Sequence, residues 1–300
     1  MGLLLESSKR VVNTAAHVGA AGTQGKGLRI ASNEQWMVKK FHDPAEAAKL
    51  EDKIRYLISR PLIPSFASHQ YAWPVDLVID TDTRSVVGYA MPVQENGVEL
   101  ANILQANFWL PAQFLARAAI SFVRSLMDLH NAGYCRGDMP NAVVLPDASI
   151  TEVDIDSLQV AHAGRTFRCG YAKPGYCPAE LIGEDLSQID MTVAHDLFGI
   201  AVIIWQLVRR NGLEHPFAAQ YIGPPCPPDR RDDRIKQGIW AWSGDHADYA
   251  PPRNSPPLST LPRGLRDCFI ATFRDGHHAP SARTSLGTWL RELSDYERTL

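Results

Sequence analysis

Short apolar runs alternate with turns over the first third of the chain, and apolar residues recur at helical spacing beyond about residue 100. Leu28-Arg29-Ile30 and Trp36-Met37-Val38 flank Ser32-Asn33-Glu34, which predicts two paired strands with Lys39 at the end of the second. Gly19, Gly22, Gly25 and Gly27 punctuate a loop just upstream. Asp43 offers an N-cap, Pro44 fills the first helical position and Glu46 the capping-box position. Leu50, Ile54, Leu57 and Ile58 then recur at helical spacing until Arg60-Pro61 ends the run. One helix therefore interrupts a small β-rich segment.

Long amphipathic helices follow. Residues 110–130, entered through Pro111, carry Phe114, Leu115, Ala118, Phe122, Leu126 and Leu129, and stop before Asn131-Ala132-Gly133. A second strong helix is expected over 195–210, and shorter ones over 265–273 and 285–293. Residues 223–262 are rich in Pro and poor in periodicity, which predicts mostly loop on the surface. The change of period sets a boundary between Pro92 and Gly97. No internal repeat is present.

Composition narrows the class. With 300 residues, 45% of them hydrophobic and 21% charged, the chain can bury one large core or two smaller ones. A net charge of -3 without any Lys/Arg run gives no face for nucleic acid. The five cysteines are scattered and never spaced as CxxC, so neither a disulfide framework nor a zinc site is expected, and a reducing cytoplasm fits. The apolar start at residues 1–5 is too short for a signal sequence, and Glu6 replaces the Ser or Thr of a myristoylation signal. The longest apolar run, over 197–208, falls short of the roughly 18 residues a membrane span needs. It reads as a core helix, and no membrane partner is expected.

The candidate chemistry lies in Tyr134-Cys135-Arg136-Gly137-Asp138-Met139-Pro140-Asn141 and, further on, Val153-Asp154-Ile155-Asp156-Ser157. An Asp, an Asn shortly after it, a strand and a second Asp follow the order of a phosphoryl-transfer site. There one acid orients a hydroxyl while the amide and the other acid hold Mg²⁺ against ATP phosphates. Gly22 and Gly25 suit the same ligand, since backbone without Cβ atoms can approach phosphate closely.

On these motifs the chain resembles the eukaryotic-like Ser/Thr protein kinases of bacteria over nearly its whole length. It looks most like the branch with an IDxDS sequence in place of Asp-Phe-Gly. Trp73-Pro74 and Gly88-Tyr89-Ala90-Met91-Pro92 match the approach to the hinge and the hinge itself, and Gly175 to Glu180 the end of an activation segment. Asp196 matches the acid that supports the catalytic loop, and Arg283 the partner of Glu180. His215-Pro216-Phe217 also recurs in the family and reads as a packing corner. The resemblance implies an α+β, two-lobed protein-kinase-like fold, with a small β-rich N-lobe over residues 1–92 and a larger helical C-lobe over 97–300.

It further implies that Lys39 contacts the α and β phosphates and pairs with Glu51, while Gly22, Gly25, Met91 and Val93 surround the nucleotide. Asp138 would be the catalytic base, and Asn141 and Asp154 the ligands of Mg²⁺ or Mn²⁺. Two departures stand out. Asn141 follows Asp138 by three residues instead of five with no Lys between them, and Met37 occupies a position over the adenine that is usually small. The implied function is ATP- and Mg²⁺-dependent phosphorylation of Ser/Thr hydroxyls on a protein substrate whose identity the sequence does not give. Two alternatives stay open: a pseudokinase serving as nucleotide-binding scaffold or docking module, and a small-molecule kinase, since Asp-x-Asp recurs among those as well.

Overall fold

The computed structural model describes residues 2–18, 24–105, 110–209, 215–225 and 230–300. The strands before residue 42 are β1 (Leu3–Leu5), β2 (Val11–Val12), β3 (Thr14–Val18), β4 (Gly25–Ile30) and β5 (Asn33–Phe41). After one helix come β6 (His69–Tyr71), β7 (Asp76–Asp80) and β8 (Val86–Pro92). All but β6 form one antiparallel sheet in the order β2-β1-β7-β8-β5-β4-β3, in which the expected strand pair is β4 and β5.

Strand alternation divides β5 between two apolar clusters. Met37 and Phe41 join Leu77, Tyr89 and Met91 against Ala47 and Ile54 of helix α1 (Pro44–Ser59), whereas Val38 packs with Ile30, Val78 and Ala90 on the other side. Lys39 shares the parity of Met37 and Phe41, so β5 itself aims it toward the α1 side. Gly88 permits this arrangement, because a Cβ there would lie 2.0 Å from the Lys39 carbonyl oxygen. The Asp43 carboxylate caps α1 by accepting from Ala45 N at 2.8 Å. Glu46 does not complete the expected capping box; it pairs with Lys49 one turn along.

Strand β6 leaves that sheet and runs parallel to β11 (Ile150–Glu152) in a second one, ordered β6-β11-β10-β9 with β9 (Val98–Glu99) and β10 (Ala142–Val144). Behind it lie α2 (Leu100–Gln105) and α3 (Ala112–Asn131). Side chains fasten β6 to α3: His69 Nε2 lies 2.8 Å from Asp128 Oδ2, and Tyr71 donates to Ser125 O at 2.9 Å. The remaining helices are α4 (Val193–Val208), α5 (Arg231–Gln237), α6 (Arg263–Ile270), the single turn α7 (Gly276–His278) and α8 (Leu286–Glu297). Their core is continuous from Phe122 and Leu126 through Trp205 to Phe269 and Trp289. The result is a mixed α/β fold with a mostly antiparallel sheet.

The described part of 223–262 is mostly loop, as expected, but it is not confined to the surface. Within 223–262, read as surface loop, α5 buries Ile235, and Trp240 packs edge-on to Trp205 with ring centroids 6.0 Å apart. Two anchors separated by a turn dock this segment without the repeated spacing that would reveal it. Among the described residues no helix is long and apolar enough to cross a membrane.

Candidate functional site

Lys39 is nearly buried, and its ammonium meets two carboxylates of the turn after β11. Nζ lies 2.8 and 2.9 Å from the oxygens of Asp156 and 3.1 Å from Asp154 Oδ1. Burial acts to lower the lysine pKa, but Asp156 and then Asp154 outweigh it and hold it above the ordinary value. Burial likewise acts to raise Asp156, yet the Lys39 charge, the Lys39 hydrogen bond and the Tyr89 hydroxyl at 2.7 Å keep its carboxyl below the usual range. Asp154 differs in being half-exposed. Its backbone sits in the left-handed region at φ 52°, a conformation Asp tolerates better than most residues, and the turn Ile155–Ser157 follows from it.

Glu51 is not the partner of Lys39. It bonds Arg55 at 2.8 Å on the solvent side of α1, and Arg55 reaches on to Glu6. The α1 side chain that does enter the site is Lys53, fully buried, which donates to the Asp156 carbonyl at 2.6 Å. Burial lowers its pKa to about 8. Lys53 lies between Leu50 and Leu57 on the apolar stripe, and that position was the available signal for it.

The second half of the site is anchored by α4. Asp196, in its first turn, accepts from Arg136 N at 2.6 Å and Gly137 N at 2.8 Å, while His130 Nε2 stands 2.9 Å from the same carboxylate. Gly137 adopts φ +65°, and a Cβ there would strike the Cys169 side chain at 2.7 Å. This fixed backbone presents Asp138. The peptide Met139–Pro140 is cis, and Asn141 Nδ2 donates to Asp138 Oδ2 at 3.0 Å, so the shorter spacing still brings the two polar ends together. Asp138 Oδ1 is buried and has no hydrogen-bond partner among the described residues.

Arg136, completely buried, joins the halves. Its guanidinium donates to Asp154 O at 3.2 Å, Ser157 Oγ at 2.9 Å, Asn141 O at 3.2 Å and Val153 O at 2.7 Å. Val153 N also donates to Asn141 O at 3.0 Å, which seats Asn141 beside the residue preceding Asp154. Lys39, Asp138, Asn141 and Asp154 thus belong to one connected polar network drawn from three distant stretches of chain. Lys53 and Arg136 were not singled out in the sequence.

The expected nucleotide contacts are placed unevenly. Gly22 lies outside the described residues. Gly25 opens β4 opposite Phe41, and a Cβ there would meet Lys40 O at 2.6 Å, so its lack of a side chain is used by strand packing. Met91 is buried in β8 across from Met37, and Val93 extends the same apolar cluster, with its N–H spent on Gln35 O at 2.8 Å. Among the described residues no three His, Cys, Asp or Glu side chains gather to hold a metal. The half-exposed Asp154 carboxylate nevertheless fits Mg²⁺, which typically takes one or two carboxylates plus substrate phosphates. Asn141 fits poorly as a second ligand: it is a neutral amide whose one oxygen already has the Lys173 ammonium at 2.6 Å, whereas Asp154 is an anion with a second oxygen besides the Oδ1 that Lys39 bonds.

Two further expectations are structural. Arg283 forms a two-pronged pair with Glu180, at 2.6 and 2.8 Å, and also donates to Ala194 O. His215 is a buried corner: Nε2 lies 2.8 Å from Gly175 O, and Nδ1 accepts from Phe217 N at 3.1 Å. Burial drives its pKa down to about 3 from 6.5. The folded form therefore resists protonation, and its stability is full above the unfolded value and declines as pH falls toward 3. The expected loss attributable to His215 is at most about 1.4 kcal/mol per pH unit below 6.5. Urea unfolding of wild type and His215→Gln from pH 7 to 4 checks this: the variant loses part of the acid slope, and parallel slopes contradict it.

No family model matches the chain, and no curated protein matches it.

Proposed function

We propose that this protein is an ATP- and Mg²⁺-dependent kinase for Ser/Thr hydroxyls of a protein substrate. In this reading the nucleotide lies between an N-lobe of residues 1–92 and a C-lobe of residues 97–300, in a two-lobed kinase-like arrangement. The observation that carries it is Asp138: a half-buried residue with Oδ2 oriented by Asn141 and a buried Oδ1 that has no partner among the described residues, in the same network as Lys39 and Asp154. An unpaired acceptor costs stability, and a substrate hydroxyl is the donor that would satisfy it. Asp138 takes that hydroxyl's proton as the hydroxyl oxygen bonds to the γ-phosphorus and the bond to the ADP oxygen breaks. Lys39 holds the phosphates in place. Mg²⁺ on Asp154, when bound, neutralises phosphate charge.

Incubation with γ-labelled ATP and Mg²⁺ or Mn²⁺, using a broad peptide library, tests transfer directly. Melting with Mg-ATP at a hundred times its Kd tests the binding half, and should add about 2.7 kcal/mol to stability. Absence of any shift removes the nucleotide reading.

A second reading, a nucleotide-binding scaffold, is favoured by one observation. The Met37 methyl lies where a Cβ on Gly27 would meet it at 2.4 Å, so a flexible side chain covers the glycine surface on the Lys39 side of β5. A Mg-ATP shift without transfer to any peptide or to the protein itself would favour the scaffold.

A further inference from the structure

Asn141 presents a single metal-ligating atom, its amide oxygen, and that atom is taken. Lys173 Nζ sits 2.6 Å from Oδ1 and 2.9 Å from Pro140 O, gripping the short loop at two neighbouring acceptors. The amide cannot be turned to free the oxygen, because its Nδ2 faces Asp138, with 3.0 Å to Oδ2 and 3.2 Å to the Asp138 carbonyl. Turning it would set the NH₂ group against an ammonium and the oxygen against a carboxylate. Lys173 is itself fixed, being half-buried in a turn where Tyr176 N donates to its carbonyl at 3.1 Å, with Gly175 at φ +89° between them. A divalent ion on Oδ1 would have to stand about 2.0 to 2.1 Å from that oxygen, crowded against a positive charge already bonded to it.

Resting on the kinase reading, we infer that the Lys173 ammonium occupies the second cation position of this site. The protein then works with one divalent ion, on Asp154, where a kinase catalytic loop ordinarily uses its Asn for a second. Two consequences follow. The chain supplies a fixed positive charge beside the transferred phosphoryl group, delivered from residue 173 and not from within the 138–141 loop. By holding Oδ1, it also keeps Asn141 Nδ2 on Asp138 Oδ2, which leaves Asp138 Oδ1 for the hydroxyl.

The test counts metal. Wild-type protein with a non-hydrolysable ATP analogue is titrated with Mn²⁺, and bound ion is measured by electron paramagnetic resonance. One Mn²⁺ per chain is expected for wild type and two for Lys173→Met, in which Oδ1 is released; Lys173→Met/Asn141→Ala should return to one. A second readout is the transfer rate against free Mg²⁺ at saturating Mg-ATP, expected to be flat for wild type and to rise for Lys173→Met. Two Mn²⁺ in wild type overturns the inference, and so does a Lys173→Met protein that stays at one. If wild type binds no analogue with Mn²⁺, the nucleotide reading itself falls, an outcome distinct from a wrong count. The wild-type count needs no variant to fold.

Discussion

On the proposed kinase reading, Asp138→Ala is expected to lower phosphoryl transfer by roughly 10²- to 10⁴-fold, the range associated with losing a positioned general base. Mg-ATP affinity should change little, because Lys39 and Asp154 lie on the other side of the Arg136 bridge. The loss should fall on kcat, with KM for ATP nearly constant, as for an interaction used only in the transition state. Stability should move in the opposite direction. Asp138 Oδ1 is a buried acceptor without a partner among the described residues, and such an atom costs about 1 to 3 kcal/mol in the folded state, so the alanine variant should melt no lower than wild type. Asp138→Asn keeps an oxygen for Asn141 to bond but cannot accept a proton, and should be as inactive. Steady-state kinetics with a thermal melt on each variant checks both halves. Retained turnover in Asp138→Ala would remove Asp138 from the chemistry.

What the sequence made legible is local. The strand pair around Ser32-Asn33-Glu34, the Asp43 cap and the helices over 112–131 and 193–208 all announce themselves within a few residues. The Asp138, Asn141 and Asp154 cluster was readable because order along the chain mirrors a known chemistry. Glu51 and Lys53 show where that stops. Ala47, Ile54 and Ile58 place Glu51 on their side of α1, but the buried positions are Ala47, Lys53, Ile54 and Leu57, a stripe rotated toward Lys53. Positions two apart on a helix differ by about 200° around the axis, so shifting the stripe's centre to one side or the other of Ile54 decides which of Glu51 and Lys53 is buried. Lys173 left no pattern at all. It stands 32 residues from Asn141, and its arrival depends on how the segment between β11 and α4 folds back. Trp240 escaped for a similar reason, since its burial is set by Trp205 and Phe273 on other helices.

Asp156 should govern stability far more strongly than its neighbour Asp154. Its side chain receives Lys39 Nζ through both oxygens and the Tyr89 hydroxyl through one, and all three groups are buried or nearly so. Asp156→Ala strands a lysine and a phenol away from water, and breaking a buried pair by removing one partner costs about 3 to 5 kcal/mol. At roughly 2 to 4 °C per kcal/mol for a chain of about this size, the melting temperature should fall on the order of 10 °C. Asp154→Ala should cost far less stability, because that carboxylate is half-exposed, yet it should weaken Mg-ATP binding. On the proposed kinase reading, the two neighbouring acids separate into a structural and a metal-facing role. Acid sharpens the contrast. The Asp156 carboxyl is held below its ordinary value in the folded protein, so its contribution is full above the unfolded carboxylate pKa of about 3.9 and is lost as pH falls below it. Lys39→Met alone should also destabilise, by leaving Asp156 charged and buried. Lys39→Met combined with Asp156→Leu should recover much of the loss, since apolar replacement of a whole buried pair is often neutral. A double-mutant cycle by urea unfolding measures the coupling. An Asp156→Ala protein that melts with wild type, or a double variant as unstable as the sum of its singles, would show that the pair does not hold the sheet to the turn after β11.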